Sequence, residues 1–522
     1  MRLGFWLAPC REFRSCRAPL LRIAFTIIRN GHLVDLRQRR AAAADILIEG
    51  DTIREIGSPG MPAPDDATLV DASDRAMMPG LVNGHVHGHG TLAKGLVGDR
   101  WPLELFLNAM PGLAGNRTLE DKYLNGLVAA VEMIRKGCTA CYDLFFEFPL
   151  PSRDGVVALG QAYRDAGVRA VIAPMVADYT LYQAYTGLID AVPDALRADV
   201  LAFKLAPYRA TADAAEQLYA DWPFDRAWIR PAIAPTIPIH CSDEFLIRCR
   251  DLARAYDLPL QTHLAETKAQ AVLGLRKYGK TLTAHLDSLG MLGPHLSAAH
   301  AIWLDRDDLD RLAFSGASVV HAPVSNMRFG SGLAHLRPML DRGINVGIAT
   351  DAANSSDQLN MFESARLATL ISRVQTPDFQ SWLGADEVLR MATTGSARAM
   401  GFAGLIGDIA PRYKADIVFL DLGHINYVPC HDIVSQIVFT ENGGAVDSVM
   451  IGGRMVLDHG RLTTIDEKKL RQDAATAAER LFAANTATRT FARQLQPVVG
   501  QFCHRLACEP YHVHRLALPQ QA

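Results

Sequence analysis

Between Met77 and Gly401 short apolar runs alternate with longer stretches of helical periodicity, which is the pattern of repeated βα units laid around a parallel sheet. Strands of that kind must be covered on both faces, so few architectures remain open to the chain. Eight runs can be marked: Gly80-Leu-Val-Asn-Gly-His85, Thr139-Ala-Cys-Tyr-Asp143, Arg169-Ala-Val-Ile-Ala-Pro174, Ile229-Arg-Pro-Ala-Ile-Ala234, Leu260-Gln-Thr-His263, Leu296-Ser-Ala-Ala-His300, Ser318-Val-Val-His-Ala322 and Asn345-Val-Gly-Ile-Ala-Thr-Asp351. Eight such units close a (β/α)8 barrel of TIM type, and the fold class expected is α/β. The third and fourth runs carry the least pattern.

The flanks read differently. Thr26-Ile-Ile-Arg-Asn-Gly-His-Leu-Val-Asp35 and Ala44-Asp-Ile-Leu-Ile-Glu-Gly-Asp-Thr-Ile-Arg-Glu-Ile56 are β-branched runs broken by Asn-Gly and Gly-Asp turns. A matching set returns in Ala415-Asp-Ile-Val-Phe-Leu-Asp421 and Val446-Asp-Ser-Val-Met-Ile-Gly-Gly-Arg-Met-Val-Leu457. The two segments are expected to pack as one small β-sandwich built from both chain ends. This divides the chain into an extension expected to be disordered (1–24), the N-terminal sandwich segment (25–76), the barrel (77–401), the C-terminal sandwich segment (402–465) and a terminal helix with its tail (466–522), the helix running from Asp466 to Phe491.

Composition narrows the partners. Fifty-three Lys and Arg against fifty-six Asp and Glu leave a formal charge of -3, too little to draw in phosphate backbones or anionic lipid. No apolar stretch reaches the roughly 18 residues of a membrane helix. Neither nucleic acid nor membrane is expected as a partner. The nine cysteines have no repeated spacing, which argues for a reducing cytoplasm rather than a disulfide framework. Cys138-x-x-Cys141 has no second pair at zinc spacing and reads as alternating strand positions.

Reactive groups in such a barrel collect at the C-terminal ends of the strands. His85 and His87 close the first run, His263 the fifth, His300 the sixth, His321 the seventh and Asp351 the eighth. One strand-end histidine is unremarkable, but this recurrence is hard to explain as separately satisfied core polar groups. His85-x-His87 places two imidazoles on one side of an extended strand, where both can grip one ion. Imidazole nitrogens and a carboxylate suit zinc or a similar divalent ion, iron and manganese included, with one position left for water. The expected ligands are His85, His87, His263 and Asp351. Glu266, three residues past His263, is the expected proton carrier, with His300 and Asp351 assisting in catalysis.

Taken together, Pro79-Gly-Leu-Val-Asn-Gly-His-Val-His87, His263-Leu-Ala-Glu266, Ala299-His300, His321-Ala-Pro-Val-Ser-Asn326 and Gly347-Ile-Ala-Thr-Asp351 resemble the amidohydrolase superfamily, closest to its cytosine-deaminase-like and chlorohydrolase-like branch. The likeness spans about Phe25 to Arg461. It implies the barrel with its sandwich, one metal on the four ligands above, Glu266 as proton shuttle and His300 as a water-orienting or substrate-binding residue. No Lys fits the bridging position after the fourth strand, which favours a single ion. By the same likeness the chain is expected to act as a homo-oligomer on a small heterocyclic substrate.

Within the branch, Ser242-Asp-Glu244 and His285-Leu-Asp-Ser-Leu-Gly-Met-Leu-Gly293 look like the adenosine and S-adenosylhomocysteine deaminases and their triazine-hydrolase relatives. One departure matters. Nucleoside-accepting members carry Pro-x-Glu after the first-loop segment, whereas here Pro102-Leu-Glu-Leu-Phe-Leu107 is followed by Pro111-Gly-Leu113. The missing acid disfavours a ribose-bearing substrate and makes a free base, pterin or triazine at least as good a candidate. Further expected substrate contacts are His89, Trp101, His240, His321, Ser325 and Asn326. The reaction expected is hydrolytic deamination of an amino-substituted heterocycle; hydrolysis of a ring amide, N-alkylamine or halide is the alternative, and a non-catalytic binding or assembly protein the third reading.

Overall fold

The computed structural model describes residues 24–36 and 38–517. The extension expected over 1–24 lies outside them except for Ala24.

Strands from the two chain ends are joined edge to edge. Phe25–Asp35, Arg40–Glu49, Thr52–Gly57, Thr68–Asp71 and Arg75–Pro79 come from the first segment, and Ile417–Asp421, Val446–Ile451, Arg454–Asp458 and Arg461–Leu462 from the second. The seam is the antiparallel pair of Arg75–Pro79 with Ile417–Asp421, in register Met78 to Val418. All nine strands belong to one sheet. Alternate residues of both segments, among them Ile28, Ile46, Met77, Ile417 and Phe419, share a single core, so neither segment can bury its apolar face alone.

Strand Arg75–Pro79 hands the chain over at Gly80 to the first strand of the parallel sheets. A Cβ at Gly80 would collide with the Thr139 side chain, so only glycine lets the two strands pass this closely. The parallel strands are β1 (Leu81–Val86), β2 (Cys138–Phe146), β3 (Arg169–Val176), β4 (Ala234–Pro235), β5 (Leu260–Leu264), β6 (Leu296–His300), β7 (Ser318–His321) and β8 (Asn345–Ile348). β1 to β4 form one sheet, which also takes in Ile229–Pro231 beside β3, and β5 to β8 form a second. The sheets touch at both edges: Gln261 N donates to Ile233 O at 3.1 Å, His263 N to Thr236 O at 2.9 Å, and Asp351 N to His85 O at 3.1 Å.

The fourth run, expected as one strand over 229–234, is broken in two. Pro231 and Pro235 each lack an N–H for the ladder, which leaves β4 two residues long. Four helices fill the stretch before it: Leu181–Ala184, Leu188–Ala191, Asp194–Ala202 and Tyr208–Ala220.

The C-terminal region also departs from expectation. The helix expected from Asp466 to Phe491 is two, Glu467–Ala484 and Thr486–Cys508, divided at Asn485. The amide of Asn485 donates to Leu481 O and Gly115 O, which ends the first helix and ties the break to the far end of helix Leu103–Ala114. The second helix then packs along Leu103–Ala114, where Asn108 Nδ2 donates to Ala492 O at 2.9 Å. Among the described residues no helix is long and apolar enough to cross a membrane.

A buried ion pair locks the antiparallel sheet to the parallel ones. Arg169, at the start of β3, places Nε 2.9 Å from Asp416 Oδ2, and both side chains are 1% exposed. Arg169 also donates to Ala227 O and lies over the Trp228 ring, while Asp416 accepts from Gly452 N. Asp416→Ala leaves the guanidinium buried without its counter-ion. It is expected to cost about 3–5 kcal/mol of stability, read as a fall in the denaturant midpoint; a loss below about 1 kcal/mol would show that water or Ala227 O suffices for Arg169.

Candidate active site

Three imidazoles meet where β1 and β5 end. His87 Nε2 and His263 Nε2 are 3.2 Å apart, and the His85 ring centroid lies 4.7 Å from that of His87 and 4.9 Å from that of His263. Each ring is turned by a bond at its other nitrogen. His87 Nδ1 is 2.8 Å from Leu144 O and His263 Nδ1 is 2.6 Å from Thr236 O; a carbonyl only accepts, so both Nδ1 atoms carry the proton. His85 Nδ1 is 2.6 Å from Gln261 Oε1. Gln261 Nε2 already donates to Gly84 O and Ser297 Oγ, which fixes the amide so that its oxygen faces the ring.

All three histidines therefore aim Nε2 lone pairs into one space. Two such lone pairs 3.2 Å apart repel unless a cation lies between them, and His85 Nε2 is buried without a hydrogen-bond partner. Asp351 supplies the negative charge. Its Oδ1 is 3.4 Å from His85 Nε2 and 3.3 Å from His87 Nε2, and its Oδ2 accepts from Ser325 Oγ. The donors of His85, His87 and His263 lie within 4.8 Å of one another, as do those of His85, His300 and Asp351. This set fits a single divalent ion with nitrogen and oxygen donors.

The electrostatics agree with that fit. Burial, followed by the neighbouring His85, pushes His87 down to about 4, and the same causes hold His263 well below the ordinary imidazole range. Both rings are neutral at pH 7, as ligands must be. Burial works to raise Asp351, but the neighbouring His85 and His87 rings outweigh it and hold the carboxyl well below its usual range. Glu266 goes the other way: burial, then the charges of Asp351 and Glu104, raise it well above the carboxylate range.

Glu266 is 1% exposed, and its Oε2 stands 3.9 Å from His300 Nε2. His300 Nδ1 is held by Asn326 Oδ1 at 2.7 Å, leaving Nε2 buried and unpartnered. The turns that deliver these groups are strained. His300 and Asp351 have φ of 66° and 64°, and Ala265 and Ala301 have 46° and 49°, a region that side-chain-bearing residues rarely occupy.

Residues 76–456 match the pattern of the amidohydrolase family. The chain belongs to the amidohydrolase family. This amidohydrolase is 32% identical to the 5'-deoxyadenosine deaminase of Methanosarcina mazei over 438 residues, 84% of this chain and 93% of that protein. It is 34% identical to the 5-methylthioadenosine/S-adenosylhomocysteine deaminase of Syntrophobacter fumaroxidans over 399 residues, 76% and 84% of the two chains. Among solved structures, an adenosine deaminase from Xanthomonas campestris with bound zinc superposes with a TM-score of 0.74 at 28% identity, over 88% of this chain and 98% of that one. The atrazine chlorohydrolase of Arthrobacter aurescens complexed with zinc superposes with 0.78 at 24% identity, over 87% and 100%, and shares the fold. As a member of the family, the chain is a hydrolytic enzyme of C–N bonds.

The remaining candidates of this amidohydrolase fall into three groups. Ser325 and Asn326 hold Asp351 and His300, so they position site residues and have that bond already committed. His89 accepts from Phe146 N at 3.3 Å, with its ring 5.4 Å from that of His87. His321 is buried with both ring nitrogens unpartnered, and burial followed by His300 pushes it down to about 3. His240 lines a cavity beside the site and keeps Nε2 unpartnered. Trp101 is not brought in: it packs against Val97, Leu103 and Phe329, and the Phe106 ring lies tilted beside Phe329 with centroids 5.2 Å apart.

Gln261, Thr236 and Leu144 are site residues that no motif singled out. Gln261 was within reach, since it sits two residues before His263 and period-two alternation puts both on the same side of β5. The two carbonyls have no side-chain signature. Gln261→Leu removes the acceptor that orients His85 and is expected to weaken divalent-ion affinity about 10- to 100-fold, read by competition with a chromophoric chelator; unchanged affinity would mean that His85 holds its orientation without the amide.

Proposed function

We propose that this amidohydrolase deaminates an amino-substituted heterocycle by hydrolysis, with His85, His87, His263 and Asp351 holding one zinc ion and Glu266 moving the proton. The observation that carries the reading is the convergence of three imidazoles, each presenting Nε2, beside a buried carboxyl that favours its protonated form. The names of the relatives, deaminases of adenine nucleosides, support the reaction class, and the zinc of the solved neighbours supports the metal. The bonds between the two parallel sheets and the likeness to the Xanthomonas structure support closure of β1 to β8 into a barrel, and the core shared by the two terminal segments supports a sandwich.

A divalent ion held by His85, His87, His263 and Asp351 would supply a water acidic enough to be deprotonated near neutral pH. Glu266 would carry the proton from the attacking water to the leaving nitrogen, a role its burial and the neighbouring Asp351 charge suit by favouring the neutral acid. His300, whose Nδ1 donates to Asn326 Oδ1, turns its free Nε2 lone pair toward the same space, where it accepts from the attacking water and orients it. His321 is a neutral donor or acceptor for the ring, as is His240, which burial pushes down to about 4.

The test is ammonia release by zinc-reconstituted protein across purines, pyrimidines, pterins and triazines, with the matched nucleosides included. Release from an amino-substituted ring is expected. The absent acid after Pro111 adds that a base is turned over with higher kcat/KM than its nucleoside. Cleavage of halide or alkylamine without deamination would overturn the reading.

A further inference from the structure

A cavity of about 180 Å³ adjoins the site, lined on one side by Thr236 and His240 and on the others by Met110, Pro111, Met175, Phe203, Phe491 and Leu495. It abuts the site directly, because the Thr236 carbonyl is the group that orients His263. Among the described residues none of those lining it is Asp, Glu, Lys or Arg. Its polar side chains are mostly committed: Asn108 accepts from Tyr182 and donates to Ala492 O, and Thr180 donates to Gln183. His240 Nε2 is buried without a partner. Four of the lining residues, Thr488, Phe491, Ala492 and Leu495, stand on helix Thr486–Cys508, beyond the segment 76–456 that matches the family.

We infer that the substrate carries one uncharged, apolar substituent that enters this cavity, and that the C-terminal helix reads its size through Ala492 and Leu495. The inference rests on the reading of the adjoining site as a heterocycle deaminase and names the substrate class within it. Size sets the limit: an apolar cavity of roughly 150 Å³ holds a benzene molecule, so a ring or a short alkyl or thioalkyl chain fits. Charge sets the exclusion. A substituent ending in a carboxylate or ammonium finds no counter-ion in these walls and must give up its hydration without compensation.

The test uses zinc-loaded protein and a series on the adenine ring shared by the relatives' names: adenine, its 9-methyl, 9-propyl, 9-butyl and 9-octyl derivatives, and 9-(3-carboxypropyl)adenine. Both kcat/KM for ammonia release and Kd by calorimetry are measured. Affinity is expected to rise about fourfold per methylene up to butyl, to fall at octyl, and to drop at least about 100-fold when the butyl chain is replaced by the carboxypropyl one. Ala492→Phe is expected to move the best chain length down and Leu495→Ala to move it up. General damage to the fold would not shift the optimum in opposite directions. Affinity that ignores chain length, or a carboxylate bound as tightly as the alkyl chain, overturns the inference. Chain-length-dependent binding without ammonia release from any member supports the cavity assignment while counting against deamination of adenine.

Discussion

Replacement of Glu266 by Gln is expected to leave zinc content unchanged and to lower kcat by about 10²- to 10⁴-fold, the usual range for losing a positioned acid–base group. The amide keeps the shape and burial of the carboxyl, and Glu266 N still finds Gln270 Oε1 at 3.0 Å, so the loop should hold. What disappears is the proton site next to His300 Nε2, 3.9 Å away. The measurements are metal analysis of purified protein and steady-state ammonia release. A variant that keeps its zinc and works within about threefold of wild type would move the proton transfer to another group. His321 would then be the first to test, since both of its ring nitrogens are unpartnered.

Removing the ion is expected to cost still more. Chelation should abolish turnover and readdition of zinc restore it, because free water has a pKa of about 15.7 against about 7 for water on a catalytic zinc. His263→Ala is expected to lose metal occupancy together with roughly 10⁴-fold or more of the activity. The remaining rings make the point sharper: His87 Nε2 loses the neighbour 3.2 Å away with which it shares the cation space. Because both nitrogens are lone-pair donors, their repulsion in the metal-free protein should fall when His263 is removed. The apo form of His263→Ala is therefore expected to unfold at a temperature no lower than wild-type apo protein. Activity that survives in rigorously metal-free protein would sink the mechanism. A metal-free variant much less stable than wild-type apo protein would show that His263 contributes packing beyond its role at the ion.

How far the residues alone reached is clearest at the strand ends. His85, His87, His263, His300 and Asp351 were legible because alternation along a strand and a shared place at strand termini are properties of local sequence. The structure brings all five together, with Glu266 beside them. Trp101 was not legible, since an aromatic residue on a first loop can turn toward substrate or toward packing, and here Val97, Leu103 and Phe329 claim it. That the Ser325 hydroxyl holds Asp351 and the Asn326 carbonyl oxygen holds His300, while Asn326 Nδ2 stays unpartnered, is a matter of a few ångströms that no motif encodes.

By itself the sequence determined the order of βα units, the chemistry of the ligand set and the kinship of the two β segments, because each follows from periodicity, turn residues or donor type within a short window. Only the tertiary structure decided the rest. The edge-to-edge join of Arg75–Pro79 with Ile417–Asp421, the buried Arg169 and Asp416 pair, and the Gln261 amide on His85 link residues far apart in the chain. The C-terminal helix is the plainest case. Its amphipathic stretch has to bury its apolar face somewhere, and only the packed chain shows that Phe491 and Leu495 of that face close a cavity next to Thr236, whose carbonyl orients His263.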